Sequence, residues 1–140
     1  MKRLSLFSLV FGLVCLFSTA VAQDNDVSAK RERRKNLVVK EWNTEGKNRF
    51  LDNVTVYNDQ GLKIEEIEYA QYGQKERVTS EYNEAGQCIK QVVYDDRNRV
   101  TRIRKFDYND DGSKKMQYNY LPNGKLFSSK SFEYVYTESK

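Results

Sequence analysis

Tyr108-Asn109-Asp110-Asp111-Gly112 has the same form as Tyr57-Asn58-Asp59-Gln60-Gly61 and Tyr82-Asn83-Glu84-Ala85-Gly86, and the shared pattern Tyr-Asn-x-x-Gly decides the fold. Looser copies stand at Trp42-Asn43-Thr44-Glu45-Gly46, Tyr94-Asp95-Asp96-Arg97-Asn98 and Tyr120-Leu121-Pro122-Asn123-Gly124. A short motif returning at a near-fixed interval is the signature of a repeat architecture. Its chemistry is that of a turn. An asparagine or aspartate at the first position accepts hydrogen bonds from the backbone inside the turn, and the glycine three residues on takes the left-handed conformation that strains other residues. This describes a three-residue hairpin loop closed by a bulge. Asn98 replaces glycine with the next residue most tolerant of positive φ, and Pro122 stands second in its turn, where its fixed φ fits. The turn-forming positions are therefore Gly46, Gly61, Gly86, Asn98, Gly112 and Gly124.

Runs rich in β-branched and aromatic residues lie between the turns, such as Asn53-Val54-Thr55-Val56-Tyr57 and Ile89-Lys90-Gln91-Val92-Val93-Tyr94. They read as strands near 37–42, 47–57, 62–70, 75–82, 87–94, 99–108, 113–120 and 125–136, with a less regular turn at Gln71-Tyr72-Gly73-Gln74. Tight turns between successive strands leave no room for a crossover. The expected fold class is all-β: an antiparallel up-and-down meander of about eight strands, forming a single twisted or partly closed sheet. The turn geometry also sets register, pairing Tyr57 with Lys63, Tyr82 with Cys88, Tyr108 with Lys114 and Tyr120 with Leu126. Aliphatic residues are sparse and both strand parities carry charge, as in Arg99-Val100-Thr101-Arg102-Ile103-Arg104-Lys105. A full sandwich core is not expected, and neither is a lipid-facing barrel, which needs a continuous apolar band. Charged side chains along the strands guard the sheet edges.

Outside the repeats, Met1-Lys2-Arg3, an apolar run from Leu4 to Phe17 and the small-residue site Ala20-Val21-Ala22 give residues 1–22 the three regions of a secretory signal peptide. Export to the periplasm, the cell surface or the medium is expected. Residues 23–36 read as a flexible polar and basic leader, with at most a polar turn within 27–36, and residues 37–140 as the β-hairpin repeat domain. Loss of Lys2 and Arg3 with the signal lowers the net charge from +4 to +2. With both signs interspersed, this balance argues against nucleic acid as a partner. The remaining chain keeps one cysteine, Cys88, and has no histidine. An internal disulfide, a histidine-activated nucleophile and a histidine zinc site are all excluded. No transmembrane span is expected in the mature chain.

The Tyr-Asn-x-x-Gly turn and the strand after it, at Tyr57 to Lys63, Tyr82 to Ile89 and Tyr108 to Lys114, resemble the tyrosine-aspartate (YD) repeats of the Rhs family. They are also similar to small secreted Bacteroides-type domains of unknown function. The resemblance covers roughly residues 42–136 and implies extracytoplasmic β-hairpin architecture. It implies no activity, and the copies are too few to build the enclosing shell of Rhs proteins.

Asp107 to Gly112 matches the front of an acidic calcium loop, but the distal glutamate is replaced by Tyr118 and the hairpin turn accounts for the same residues. Glu66 and Glu68 share a strand face with nothing to raise either pKa, so a glycosidase pair is not indicated. No catalytic residue, metal or cofactor is expected. The binding signal is aromatic: Trp42, Tyr57, Tyr82, Tyr94, Tyr108 and Tyr120 are the candidate ligand-binding residues. Each ring offers an apolar plane with a polar rim to an envelope glycan or surface protein. The same rings also read as cross-strand cement in a sheet poor in aliphatics. A non-catalytic interaction module is the expected function. Self-assembly through sheet edges or a face is the alternative, and an uncharacterised hydrolase is a third reading.

Overall fold

A computed structural model describes residues 19–137, with side chains from 26 onward. Most of the signal-peptide reading, residues 1–18, lies outside the described residues. Helix α1 (Thr19–Glu32) precedes eight strands: β1 (Val38–Glu45), β2 (Asn48–Tyr57), β3 (Lys63–Ala70), β4 (Gly73–Tyr82), β5 (Cys88–Tyr94), β6 (Val100–Tyr108), β7 (Lys114–Tyr120) and β8 (Leu126–Ser131). They form one antiparallel sheet in strict sequence order, β1 to β8. The sheet is open, with β1 and β8 as its edges. The expected meander is the observed one, and closure does not occur.

Five turns share one hydrogen-bond scheme. The fourth residue donates its N–H to the first carbonyl, as Gly61 to Asn58 and Asn98 to Asp95, and the first residue's N–H reaches the carbonyl four residues on. Asn58 Oδ1 accepts from the N–H groups of Gln60 and Leu62, and Asp95 Oδ1 accepts likewise from Arg97 and Arg99. Where Leu121 lacks such an oxygen, Asn123 caps Lys125 N–H instead. Asn98 has φ 57 and the motif glycines all have positive φ. The four expected register pairs, Tyr57 with Lys63, Tyr82 with Cys88, Tyr108 with Lys114 and Tyr120 with Leu126, are all present.

Two turns differ from the sequence reading. Trp42 and Asn43 lie inside β1, opposite Leu51 and Phe50, and the β1–β2 loop is the two residues Gly46-Lys47. Gly46 at the first loop position supplies the positive φ that such tight hairpins need. The β3–β4 loop is Gln71-Tyr72, since Ala70 pairs with Gly73. β8 stops at Ser131, although Phe132 N–H still bonds Lys115 carbonyl. Residues 19–32, of which the sequence assigns 23–32 to a flexible leader, form helix α1. Ala29 favours helix, and Lys30 and Arg31 complement the dipole in the last turn.

All seven strand pairs also contain a register shift on the later strand, passing over Asp52, Ile64, Lys75, Ile89, Thr101, Lys115 and Phe127. These repeated bulges add twist and exchange the outward parity along each strand. They are the physical reason that alternation in the sequence is only partial.

The core is thin. Val54, Leu62, Val93 and Phe106 are the buried apolar residues, and no described side chain is wholly enclosed. Burial comes from neighbours on the same face, as where the Lys114 ammonium sits 4.4 Å from the Phe106 ring centroid. Long charged side chains cover apolar surface with their methylene stems while their heads stay in water. Among the described residues no helix is long and apolar enough to cross a membrane.

One turn carries a pH signature. Arg99 places its Nε and Nη2 on Asp95 Oδ2 at 2.8 and 2.7 Å. The Arg99 backbone N–H first, then the Arg99 side chain, hold the Asp95 carboxyl below its usual range. A depressed folded-state pKa means the contribution is present above the unfolded pKa and is lost as pH falls through the folded value. The amide resonances of Arg97 and Arg99 are therefore expected to titrate with a midpoint below the ordinary aspartate value, and Asp95→Asn to abolish that titration while keeping the turn. A midpoint at or above the ordinary value would overturn the assignment.

Candidate functional site

Register assigns the side chains to two faces, because residues directly opposite each other in a ladder point the same way. The first face carries the row Thr55, Glu66, Val78, Val93, Arg102. The second carries Val56, Glu65, Thr79, Val92, Ile103, Tyr120, Leu126.

The sequence-predicted aromatic residues do not form one site. Tyr57, Tyr82 and Tyr108 stand side by side at one end of the first face, next to the turns they precede. Tyr94 and Tyr120 lie at the opposite end on the second face, and Trp42 lies on edge strand β1. The first group forms a hydrogen-bonded ladder. Tyr82 donates its hydroxyl to Lys63 carbonyl at 2.7 Å and Tyr108 donates to Cys88 carbonyl at 2.7 Å. Each acceptor is the residue opposite the previous ladder tyrosine. Tyr134 extends the series by donating to Lys114 carbonyl at 2.8 Å. The structural unit is thus two strands with one tyrosine, at positions 57, 82, 108 and 134. No Asn-x-x-Gly follows Tyr134, and its spacing from Tyr108 is what places it in the series. Burial, then the adjacent Cys88, raises the pKa of Tyr82 and Tyr108, and burial raises that of the Cys88 thiol.

The other predicted rings lie beside cations. Arg77 stacks at 4.0 Å over Tyr94, Arg49 at 4.5 Å over Trp42, and the Lys105 ammonium lies 5.5 Å from the Tyr120 ring centroid. Arg77 also binds Glu65 at 2.9 Å and Asn98 Oδ1 at 3.1 Å, and Gln74 holds the same turn through Asp95 carbonyl. Arg34 lies 5.2 Å over Tyr57. There a cleft of about 610 Å³ opens between α1 and the β1–β3 part of the first face, lined by Lys30, Arg31, Arg34, Tyr57, Lys63 and Glu66 among others.

A second arrangement on the first face involves none of these rings. Ser80, Gln91, Arg104, Asn119 and Ser128 stand opposite one another on β4 to β8, one residue per strand. Their side chains are linked: Gln91 Nε2 donates to Ser80 Oγ at 3.3 Å, Arg104 Nη1 to Gln91 Oε1 at 3.5 Å, and Asn119 Nδ2 to Ser128 Oγ at 3.0 Å. Gln117 Nε2 joins from the same strand by donating to Asn119 Oδ1 at 2.9 Å. Val93 and Phe106 form the buried floor beside this row. Arg102 and Lys130 flank it, opposite Val93 and Gln117 respectively.

Charge on this face divides by strand. Glu66, Glu68 and Glu76 occupy β3 and β4, where Lys63 pairs with Glu66 and Lys75 with Glu68, whereas the register puts Arg102, Arg104, Lys114 and Lys130 and no carboxylate on β5 to β8. Among the described residues Arg102, Arg104 and Lys130 make no ion pair. The arrangement can donate and accept hydrogen bonds along a line and neutralise negative charge. Among the described residues no group of His, Cys, Asp and Glu is placed to hold a metal ion. In the calcium-like stretch, the Asp111 carboxylate accepts from Ser113.

No protein-family model and no curated protein matches the chain. Among solved structures, it is similar to a mutant of S. aureus TarM in complex with Fondaparinux, alpha-GlcNAc-glycerol and UDP, at 17% identity and a TM-score of 0.29. The likeness covers 83% of this chain and 23% of that one. At that score it bears on neither the fold nor the function of this chain.

Proposed function

We propose that this chain is an exported, non-catalytic interaction module that uses a face of its sheet to bind a glycan or protein of the cell envelope. One observation carries the reading: the first face of an open single-layer sheet displays a row of amide, hydroxyl and guanidinium groups, bonded as Ser80–Gln91–Arg104 and as Asn119–Ser128, that no other described element covers. Such groups are held in place by one another, so little side-chain freedom is lost when a ligand bonds to them. The aromatic rings support the platform in this reading, since the hydroxyls of Tyr82 and Tyr108 are committed to backbone carbonyls.

A second reading, self-assembly, is favoured by the β8 edge. Its outer side is unpaired, and Leu126 and Phe127 are 51% and 65% exposed. Unpaired edges template further strand pairing.

One experiment separates the two. The protein is used to capture partners from envelope and polysaccharide fractions beside a Gln91→Ala, Asn119→Ala variant whose circular dichroism is unchanged. The expected result is a discrete partner held by the protein and released by the variant. Equal recovery by both would overturn the face, and concentration-dependent self-association without any partner would establish assembly.

A further inference from the structure

We infer that the β5–β8 half of the first face binds an extended acidic polysaccharide, a polyuronate, lying across the strands. The inference rests on the interaction-module reading and names its ligand class.

Three features fix the chemistry. The row Ser80, Gln91, Arg104, Asn119, Ser128 advances one residue per strand, so its groups recur at the interstrand spacing of about 4.8 Å over roughly 19 Å. A polymer with a short regular repeat meets a periodic line of partners better than a globular surface does. Amides and hydroxyls both donate and accept, which matches sugar hydroxyls that also do both. The amide orientations are already set by the Gln91–Ser80 and Gln117–Asn119–Ser128 hydrogen bonds.

Charge then selects among glycans. Arg102 and Arg104 are next-but-one neighbours on β6, so both point to the same face, and neither has a carboxylate partner among the described residues. Lys130 adds a third cation beside Gln117. A guanidinium binds a carboxylate through two parallel N–H bonds, which a neutral sugar cannot accept in the same way. Glu66 and Glu68 on β3 are paired with Lys63 and Lys75, so on that half of the face Glu76 is the carboxylate left to disfavour an anionic chain. Stacking on aromatic planes is not the basis of this site, because Phe106 is buried under Lys114 and the ladder tyrosines stand at the sheet end.

The test is affinity electrophoresis and calorimetry of the purified protein with polygalacturonate, neutral dextran and polyglutamate. The expected order is tight retention by polygalacturonate, weak retention by polyglutamate and none by dextran. Arg102→Gln with Arg104→Gln is expected to weaken polygalacturonate binding roughly tenfold or more. Arg97→Gln with Lys105→Gln, which removes the same charge from a turn and from the second face, is expected to leave it unchanged. Asn119→Ala is expected to reduce retention by polygalacturonate and not by polyglutamate. Equal retention by both polyanions, or equal losses from the two charge-matched variants, would reduce the effect to general electrostatics and overturn the inference. So would absence of polygalacturonate binding. Capture of a different envelope partner through the same face would then leave the module reading standing while this one falls.

Discussion

Tyr108→Ala is expected to destabilise the sheet by about 3 kcal/mol, and Tyr108→Phe, which removes only the hydroxyl, by about 1 kcal/mol. The ring lies half-buried on the first face, and its hydroxyl is bonded to Cys88 carbonyl across a strand boundary. Loss of the hydroxyl leaves that carbonyl without its side-chain donor. Loss of the ring opens a gap beside Lys114, which covers Phe106. Every strand pairs only with its sequence neighbours, so the sheet behaves as a one-dimensional array in which a weak junction uncouples what lies beyond it. Urea unfolding of Tyr108→Ala should therefore show a lower midpoint and a reduced slope, as β7 and β8 open before the rest. Tyr120→Phe, outside the ladder on the second face, is expected to stay within about 0.5 kcal/mol of the parent. Equal losses for Tyr108→Phe and Tyr120→Phe would remove the ladder from the account of stability.

The turn chemistry made most of this fold legible. A side-chain oxygen at the first turn position and a residue tolerant of positive φ at the fourth are local demands, and they pin eight strands and the four register pairs at the turns. Trp42-Asn43-Thr44-Glu45-Gly46 misled because the same letters fit a two-residue loop at Gly46-Lys47, which tertiary pairing of Trp42 with Leu51 selects. The functional face was less legible. Register read from a turn holds only for the pair beside it, and the bulge that follows each turn shifts every later pair by one residue. Ser80, Gln91, Arg104, Asn119 and Ser128 fall into line only after those shifts, at unequal spacings that show no period in the sequence. The tyrosines drew attention because aromatic residues are chemically conspicuous, yet the hydroxyls of Tyr82 and Tyr108 are spent on their own sheet.

The two faces also explain how a protein with so few aliphatic residues leaves polar groups available. A sandwich or barrel would bury one face against another layer, and each amide or guanidinium there would need a partner inside the protein. An open single layer avoids that cost. Its apolar residues are shielded by long neighbours, and its polar residues remain open to solvent, where a ligand can replace water. Architecture and the proposed function therefore have one origin in the composition.

Gly61→Asn is expected to detach α1, whereas Gly124→Asn is expected to change little. Both glycines have positive φ, at 71° and 84°, and asparagine tolerates this region, as Asn98 shows at 57°. Backbone strain is therefore nearly matched between the two variants. Surroundings differ: a Cβ at Gly61 would meet the backbone of Arg31, with the carbonyl carbon at 2.7 Å, while nothing lies within 4 Å at Gly124. The carbonyl cannot yield as a flexible side-chain end could, so α1 must lift. Arg31's guanidinium, which rests by Gly86, would leave with it. Within residues 26–32 of α1, whose side chains are described, Val27 is the one large apolar residue. Tryptic cleavage after Lys30 and Arg31 should accelerate in Gly61→Asn and match the parent in Gly124→Asn. Because β1 is held separately by Asn36 N–H to Asn58 carbonyl and Tyr57 N–H to Leu37 carbonyl, the sheet itself should persist in both. Equal cleavage rates for the two variants would show that α1 is not seated on the Gly61 turn, and a sheet that melts with the helix would make α1 part of the fold's foundation.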